Sequence, residues 1–316
     1  MTGKVLSYFV GRVIERMRFP HQGNGGEATS DRVLATFRRG ALLGFNGGTM
    51  DDCRRESLTI PWHTRAFFNE GHAMGCAGLT ACSFRKTNPE FHAPADYEIM
   101  RYVGYGFWNG VAARFPVPRI ETGGSLWNGS AHFPKYRLLM ANGFGFALVL
   151  FQGEFTKKIR EMITLEHDPR KREAILHGVG RVLWFLYLNN YSALKIVLDE
   201  NAGTAEPLAI GLGLAIAFTQ VATPENILRS LNAFPEESRM HLIRGAGIGL
   251  QVHAQNDPEC RRMVEELIHG EMRDWYEGAW QASIDAGEGE EWYPKYHELT
   301  RRFSVVNHSV VSRLMS

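Results

Sequence analysis

Hydrophobic and polar positions along the chain follow a helical period, and the clearest signals lie in the C-terminal half. "TPENILRSLNAF" offers Thr223 as an N-cap, Pro224 at the first helical position and Glu225 in the first turn, ahead of apolar Ile227, Leu228 and Leu231. "FPEESRMHLIRGAGIGLQVHAQ" opens on Pro235 and two glutamates, and "NDPECRRMVEELIHG" opens on Asp257 and Pro258 and closes near Gly270. The pattern predicts a long, apolar, glycine-bearing helix followed by a short, more charged one.

Aligning the chain on its glycines shows that this unit recurs. Gly71, Gly104, Gly143, Gly178, Gly211, Gly245 and Gly278 stand 33, 39, 35, 33, 34 and 33 residues apart, and a partial earlier copy sits at Gly40. A period near 34 residues is that of a helical hairpin. The expected fold is therefore all-α: a TPR-like α-solenoid or αα-toroid of about eight helical hairpins in one domain. Residues 1–37 would form an N-terminal helix and cap, 38–286 the repeats, and 287–316 a C-terminal cap. The 39-residue gap is an insertion, "FPVPRIETGGSLWNGSAHFP" (Phe115 to Pro134), readable as a loop or a lid.

Each glycine inside a helix costs about 1 kcal/mol relative to alanine, so the recurrence needs a cause. A nucleotide loop is excluded, because Gly245, Gly247 and Gly249 match neither GxGxxG after a strand nor GxxxxGK[ST]. Close backbone packing of neighbouring long helices explains it directly. In a curved array those helices also line the concave side, so the flanking residues would share a cavity. The residues before the glycines are Glu70, Val103, Asn142, His177, Ile210, Arg244 and Glu277; those soon after include His72, Tyr105, Phe107, Trp108, Phe144, Phe146 and Trp184. Aromatic walls with a few polar groups describe a small-molecule site. Tyr105, Phe107, Trp108, Asn142, Phe144, Trp184 and Arg244 are the candidate substrate contacts.

Glu70 or Glu277, buried with a raised pKa, would act as general acid, and His72 or His177 as base. Glu70 and His72 flank Gly71 about 200° apart on a helix, so each needs a partner from another unit. Equally, these groups could simply satisfy neighbouring helices. Asp51, Asp52 and Glu56 in "MDDCRRE" could hold magnesium, but with Arg54 and Arg55 among them an acidic N-capping turn is the favoured reading. The second magnesium motif of terpene synthases is missing: "LNNYSALKIVLDE" puts Ile196 where the glutamate ligand belongs. No metal or other cofactor is expected, which leaves protonation-driven chemistry with aromatic rings to stabilise a cation.

Composition narrows the partners. A 44% hydrophobic, 22% charged chain of net charge +1 gives no general attraction to nucleic acid or anionic membranes. The N-terminal "MTGKVLSYFVGRVIERMRFP" carries too many charges for a secretion signal, and Pro207 to Pro224 is short for a membrane span. Cys53, Cys76, Cys82 and Cys260 form no CxxC pair, which fits reduced thiols and a cytoplasmic protein.

The ordered set "FFNEGHAMG", "RYVGYGFWNGVAARFP", "MANGFGFALVLF", "GVGRVLWF" and "FPEESRMHLIRGAGIGL" resembles the bacterial family called domain of unknown function 1702, from about Arg38 to Ala286. The matching elements are Glu70 to Gly75, Gly104 to Trp108, Gly178 to Phe185, and Phe234 to Arg239. Here the first G-x-G continues with Phe107-Trp108 rather than directly with tryptophan. The resemblance implies a setting, bacterial gene clusters for enediyne and related natural products, and carries over no catalytic residue. The expectation is an enzyme that encloses a hydrophobic polyene or isoprenoid-like intermediate, with neighbouring biosynthetic enzymes as candidate partners, and assists cyclisation or rearrangement by metal-free acid/base chemistry. The alternative is a non-catalytic small-molecule-binding or scaffold protein.

Overall fold

The computed structural model describes residues 11–14, 27–83, 98–115 and 137–301. Their regular structure is entirely helical: α1 (Glu27–Phe45), α2 (Met50–Ser57), α3 (Trp62–Ser83), α4 (Glu98–Arg114), α5 (Arg137–Leu150), α6 (Lys157–Thr164), α7 (Pro169–Tyr187), α8 (Tyr191–Glu200), a 3₁₀ turn (Ala202–Thr204), α9 (Ala205–Gln220), α10 (Pro224–Asn232), α11 (Glu236–Ala254), α12 (Pro258–Leu267) and α13 (Glu271–Asp285). A further helix, α14, covers 292–301. The long helices α1, α3, α4, α5, α7, α9, α11 and α13 lie side by side in chain order. Short helices connect many of them and bury a narrow stripe: Ile159 and Ile163 in α6, Leu194 and Leu198 in α8, Ile227 and Leu231 in α10, Cys260 and Val264 in α12. Each pair is spaced by four residues, the footprint of a helix lying on a surface.

Side chains and prolines start several of the helices. Thr49 and Asp52 form a reciprocal capping box on α2, Asp257 accepts from the Cys260 amide ahead of Pro258, and Asp168 caps α7 ahead of Pro169. Thr223 occupies the N-cap of α10 but its hydroxyl caps no backbone amide; Asn226 donates its side-chain amide to it at 3.1 Å instead. The acidic residues of α2 pair with neighbouring arginines: Arg54 with Asp51, Arg55 with Asp52, and Arg39 with Glu56.

The glycines set the spacing of the row. In each G-x-G the first glycine faces the preceding long helix: a Cβ on Gly143, Gly178, Gly211 or Gly245 would stand 1.8–2.0 Å from the carbonyl oxygen of Val103, Asn142, His177 or Ile210. The second faces the following helix, with Gly106, Gly145, Gly180 and Gly213 equally close to the carbonyls of Met140, Ile175, Leu208 and Leu242. Positions i and i+2 are about 200° apart on a helix, so the pair thins both flanks of a helix held between two neighbours. The hydrogen in place of each Cβ points at a carbonyl, a weak Cα–H···O contact repeated along the row. At the start of the row the spacing changes to four. Gly40 and Gly44 of α1 meet Phe68 and His72 of α3, and Gly71 and Gly75 of α3 meet Phe37 and Ala41 of α1.

Helix α3 also touches α11 and the start of α12, far along the chain. Arg65 of α3 reaches Asp257 at 3.1 Å and Glu259 at 2.9 Å, Asn69 donates to Asn256, and a His253 ring nitrogen lies 3.2 Å from the His63 carbonyl oxygen. The interior so enclosed is one continuous apolar core. The stretch Ala202–Gln220 is apolar and long enough to cross a membrane, yet it is packed between α7 and α11. Beyond Phe115, the insertion Phe115 to Pro134 lies outside the described residues, as does most of the N-terminal cap.

Since the obstacle at these glycines is a neighbour's backbone, Gly178→Ala and Gly211→Ala should each destabilise the protein by about 1–3 kcal/mol or more. Gly203, with nothing within 4 Å of its would-be Cβ, should accept alanine with little change or a gain of about 0.4–1 kcal/mol. Thermal melts by circular dichroism of the three variants decide this; equal midpoints would contradict the packing.

Candidate functional site

Counting from the first glycine of each motif, positions −1, +3 and +7 form the stripe turned to the interior. Val103, Asn142, His177 and Ile210 (−1), Arg181, Leu214 and Ile248 (+3), and Phe218 and Val252 (+7) all border one internal cavity of about 40 Å³. A second cavity, of about 20 Å³, is walled by Phe37, Phe67, Phe107, Phe146 and Phe185, with Glu70 and Arg181 as its polar lining. Volumes of this size hold a few waters at most. Arg181 borders both and separates them.

A hydrogen-bonded chain runs through this partition. Arg181 donates to both oxygens of Glu70, at 3.3 and 3.2 Å, and to Asn142 Oδ1 at 2.8 Å. Its guanidinium also lies 5.1 Å from the centroid of the Phe146 ring. Asn142 hydrogen-bonds the Tyr293 hydroxyl, whose oxygen is 2.7 Å from His177 Nδ1. Glu70, 1% exposed, is thus linked to His177, also 1% exposed, through three intervening side chains. Burial pushes the Glu70 carboxyl above the usual carboxylate range, with the charge of Arg181 pulling against it. Burial, helped by the charges of Arg244 and Arg301, lowers His177 to about 3.

Helix α14 closes the His177 side. Trp292, Tyr293, Tyr296, His297 and Thr300 are buried at helical spacing. His297 stacks on His177 with ring centroids 4.4 Å apart, and Tyr296 donates to Gln251. Arg244 bonds Thr300, the His297 carbonyl and, at 3.0 Å, Glu206.

The structure sorts the sequence candidates by register. Glu70, Phe107, Asn142, His177 and Arg244 face the interior. Residues at +1 sit about 200° from those at −1 and turn away. There His72 lies 3.1 Å from the Gly48 carbonyl oxygen and beside Cys76, Tyr105 accepts from Arg101, and Phe144 lines an outer groove of about 290 Å³ with Asn109, Met162, Leu165 and Lys171. Trp108 fills the space against Gly78, and Trp184 donates its indole N–H to Thr219 between α7 and α9. Glu277 is on the surface, its side chain 59% exposed and paired with Arg273 one turn earlier. Sequence reasoning missed Arg181, although it stands in "GVGRVLWF", and it missed Tyr293 and His297, whose stripe in "EWYPKYHELT" repeats at three and four residues.

Fold and site together define an all-helical protein whose glycine-spaced long helices enclose a small core of buried acid, base and arginine groups. The chain belongs to the family described as protein of unknown function (DUF1702), whose profile matches residues 12–219. That match begins before Arg38 and ends within α9, so the Phe234–Arg239 element lies beyond it. No curated protein and no solved structure matches the chain.

Four buried histidines give the core a pH signature. His72 and His253 are lowered to about 4, His177 to about 3 and His297 well below its ordinary range, each mainly by burial, against an ordinary value of 6.5. Below 6.5 the unfolded chain binds protons that the folded chain refuses, so stability should fall with acidification from about pH 6.5 toward pH 4, by up to about 1.4 kcal/mol per pH unit for each histidine. Glu70, raised by burial, works with the opposite sign from its ordinary value of 4.5 upward. Urea unfolding at pH 7.5, 6 and 5 checks the sum; a flat profile would count against neutral buried imidazoles.

Proposed function

We propose that the protein is an enzyme of bacterial natural-product biosynthesis that takes a hydrophobic polyene- or isoprenoid-like intermediate into its core and promotes cyclisation or rearrangement, with Glu70 as proton donor. The observation that carries this reading is the second cavity: one buried carboxyl facing five phenylalanines, with one arginine behind it. In this reading the row of long helices closes as a toroid around that chamber. The core accepts a substrate by opening; α14, a wall from outside the row, borders the His177 cavity and not this chamber.

The chemistry balances without a co-reactant. The Glu70 proton adds to one carbon of an alkene, and the other carbon takes up positive charge. A neighbouring double bond or a migrating group attacks that carbon, and a proton lost from the product's cationic carbon returns to the Glu70 carboxylate. The phenyl faces stabilise the cation, burial favours the protonated acid at the start, and Arg181 holds the carboxylate once its proton has left. Asn142 fixes Arg181 in place. The natural-product setting comes from the family resemblance.

A second reading, a non-catalytic binding or scaffold protein, is favoured by a different observation: the largest of these cavities is the outer groove beside Phe144 and Met162 rather than the core. Incubating the purified protein with hydrophobic intermediates made by enzymes encoded nearby, with product analysis by mass spectrometry, separates the two. The enzyme reading expects conversion by the wild type and a loss of about 10²–10⁴-fold in Glu70→Gln with an unchanged circular dichroism spectrum. Equal binding by both proteins with no conversion would leave the binding reading.

A further inference from the structure

Next to the His177 cavity stands a group of donors that the acid–base reading leaves unused. Glu173 and His177 lie one turn apart on α7, and α14 brings His297 over them; one donor atom from each lies within 4.8 Å of the other two. Two ring nitrogens in this group of residues, His177 Nε2 and His297 Nδ1, are buried without a hydrogen-bond partner among the described residues, in residues only 1% and 6% exposed. An orphaned buried nitrogen costs about 1–3 kcal/mol, and two in adjacent, stacked rings call for a shared ligand. Glu173 Oε1 is 3.9 Å from His177 Nε2, too far for a hydrogen bond and close to the separation of two donors on one ion.

We propose that Glu173, His177 and His297 bind a divalent first-row transition metal ion, zinc or iron(II), as a two-histidine, one-carboxylate site open toward the 40 Å³ cavity. The donor set decides the class: imidazole with carboxylate suits zinc and iron, whereas magnesium and calcium take oxygen donors and copper(I) takes sulfur. His177 Nδ1 lies 2.7 Å from Tyr293 Oη, and in the tautomer with the proton on Nδ1 it donates there and leaves Nε2 as a lone pair, the outer hydrogen bond that a metal-binding imidazole ordinarily makes.

Metal–ligand distances of about 2.0–2.2 Å require the donors to draw together. Glu173 is the free-moving partner, with its side chain 35% exposed. His297, tilted 29° over His177, turns its ring out of the stack so that its lone pair converges. Arg244 and Arg301 lie nearby and share Glu206. With the ion bound the site is net positive, so the open coordination position would hold water or an anionic oxygen, and the cavity beside it has that room. The spacing gave no sequence signal, because the third ligand lies more than a hundred residues from the first two.

The site is independent of the proposed reaction at Glu70 and is tested without substrate. The full chain is stripped with a chelator and dialysed against zinc or, under anaerobic conditions, iron(II), and its metal content measured. Cobalt(II) serves as an optical probe of coordination. The expected result is one ion per chain, with affinity lowered at least about tenfold in Glu173→Gln and His297→Gln. His253→Gln removes a buried histidine that also has an orphaned nitrogen but lies outside the cluster, and it should bind as the wild type does. Glu173→Gln changes a half-exposed residue, so its loss of binding with an unaltered circular dichroism spectrum reads ligation and not folding. Substoichiometric metal, or binding that survives both Glu173→Gln and His297→Gln, would overturn the proposal.

Discussion

The contact between a glycine Cα and a neighbouring helix's carbonyl is the constraint from which the rest of this structure follows. A methyl group at those positions would lie about 2 Å from a backbone oxygen, so the distance between long helices is fixed by backbone and not by side chains. Because the two glycines of each G-x-G point to opposite flanks, every inner helix has its rotation about its own axis fixed as well. That rotation delivers positions −1, +3 and +7 to the interior in helix after helix. Each glycine costs about 1 kcal/mol of helix propensity, and the sandwich returns close dispersion contacts and Cα–H···O interactions along its length.

A row locked in this way leaves little freedom for what lies inside, which is why its charges are paired so specifically. Arg65 joins α3 to Asp257 and Glu259 at the start of α12, with 4% of its side chain exposed. Glu70 and Arg181 join α3 to α7 across the core. Neither pair need add net stability, since hydrophobic replacements of buried ion pairs are often neutral or better. Removing one partner alone is costly, because the other charge is left in a dry interior. Such pairs therefore specify which helix faces which, and they hold side chains of opposite chemistry within reach of one another.

How far the sequence showed this depends on range. The repeat, the alternation of long and short helices and the inward direction of the −1 residues were legible, because each is a local consequence of helical period. Glu277 shows where period misleads: it shares the −1 register, yet α13 ends the row, and the interior beside it is filled by α14. His72, Tyr105 and Phe144 were grouped with the inward residues on sequence nearness to the glycines, although two residues along a helix is more than half a turn. Arg181 follows the same register as Phe107 and Phe146 but looks like a surface cation when its partner, Glu70, is 111 residues away. Tyr293 and His297 could be read as a helical stripe, but nothing local says which surface that stripe covers.

The division of the core by Arg181 bears most on function. On one side a carboxyl faces phenylalanine and aliphatic side chains; on the other, imidazoles, phenols and an amide border the larger of the two cavities. A single undivided chamber would mix these environments, and water reaching the phenylalanine side would quench a cation formed there. Arg181 can keep them apart because its Nη1 donates to Asn142 and its Nη2 to Glu70 while its flat face lies on Phe146. A lysine at 181 could satisfy Glu70 as a point charge but could not bridge to Asn142 in the same plane or cover the ring. The planar guanidinium thus serves as wall, counter-ion and positioning group at once, and the G-x-G immediately before it sets the helix rotation that places it there.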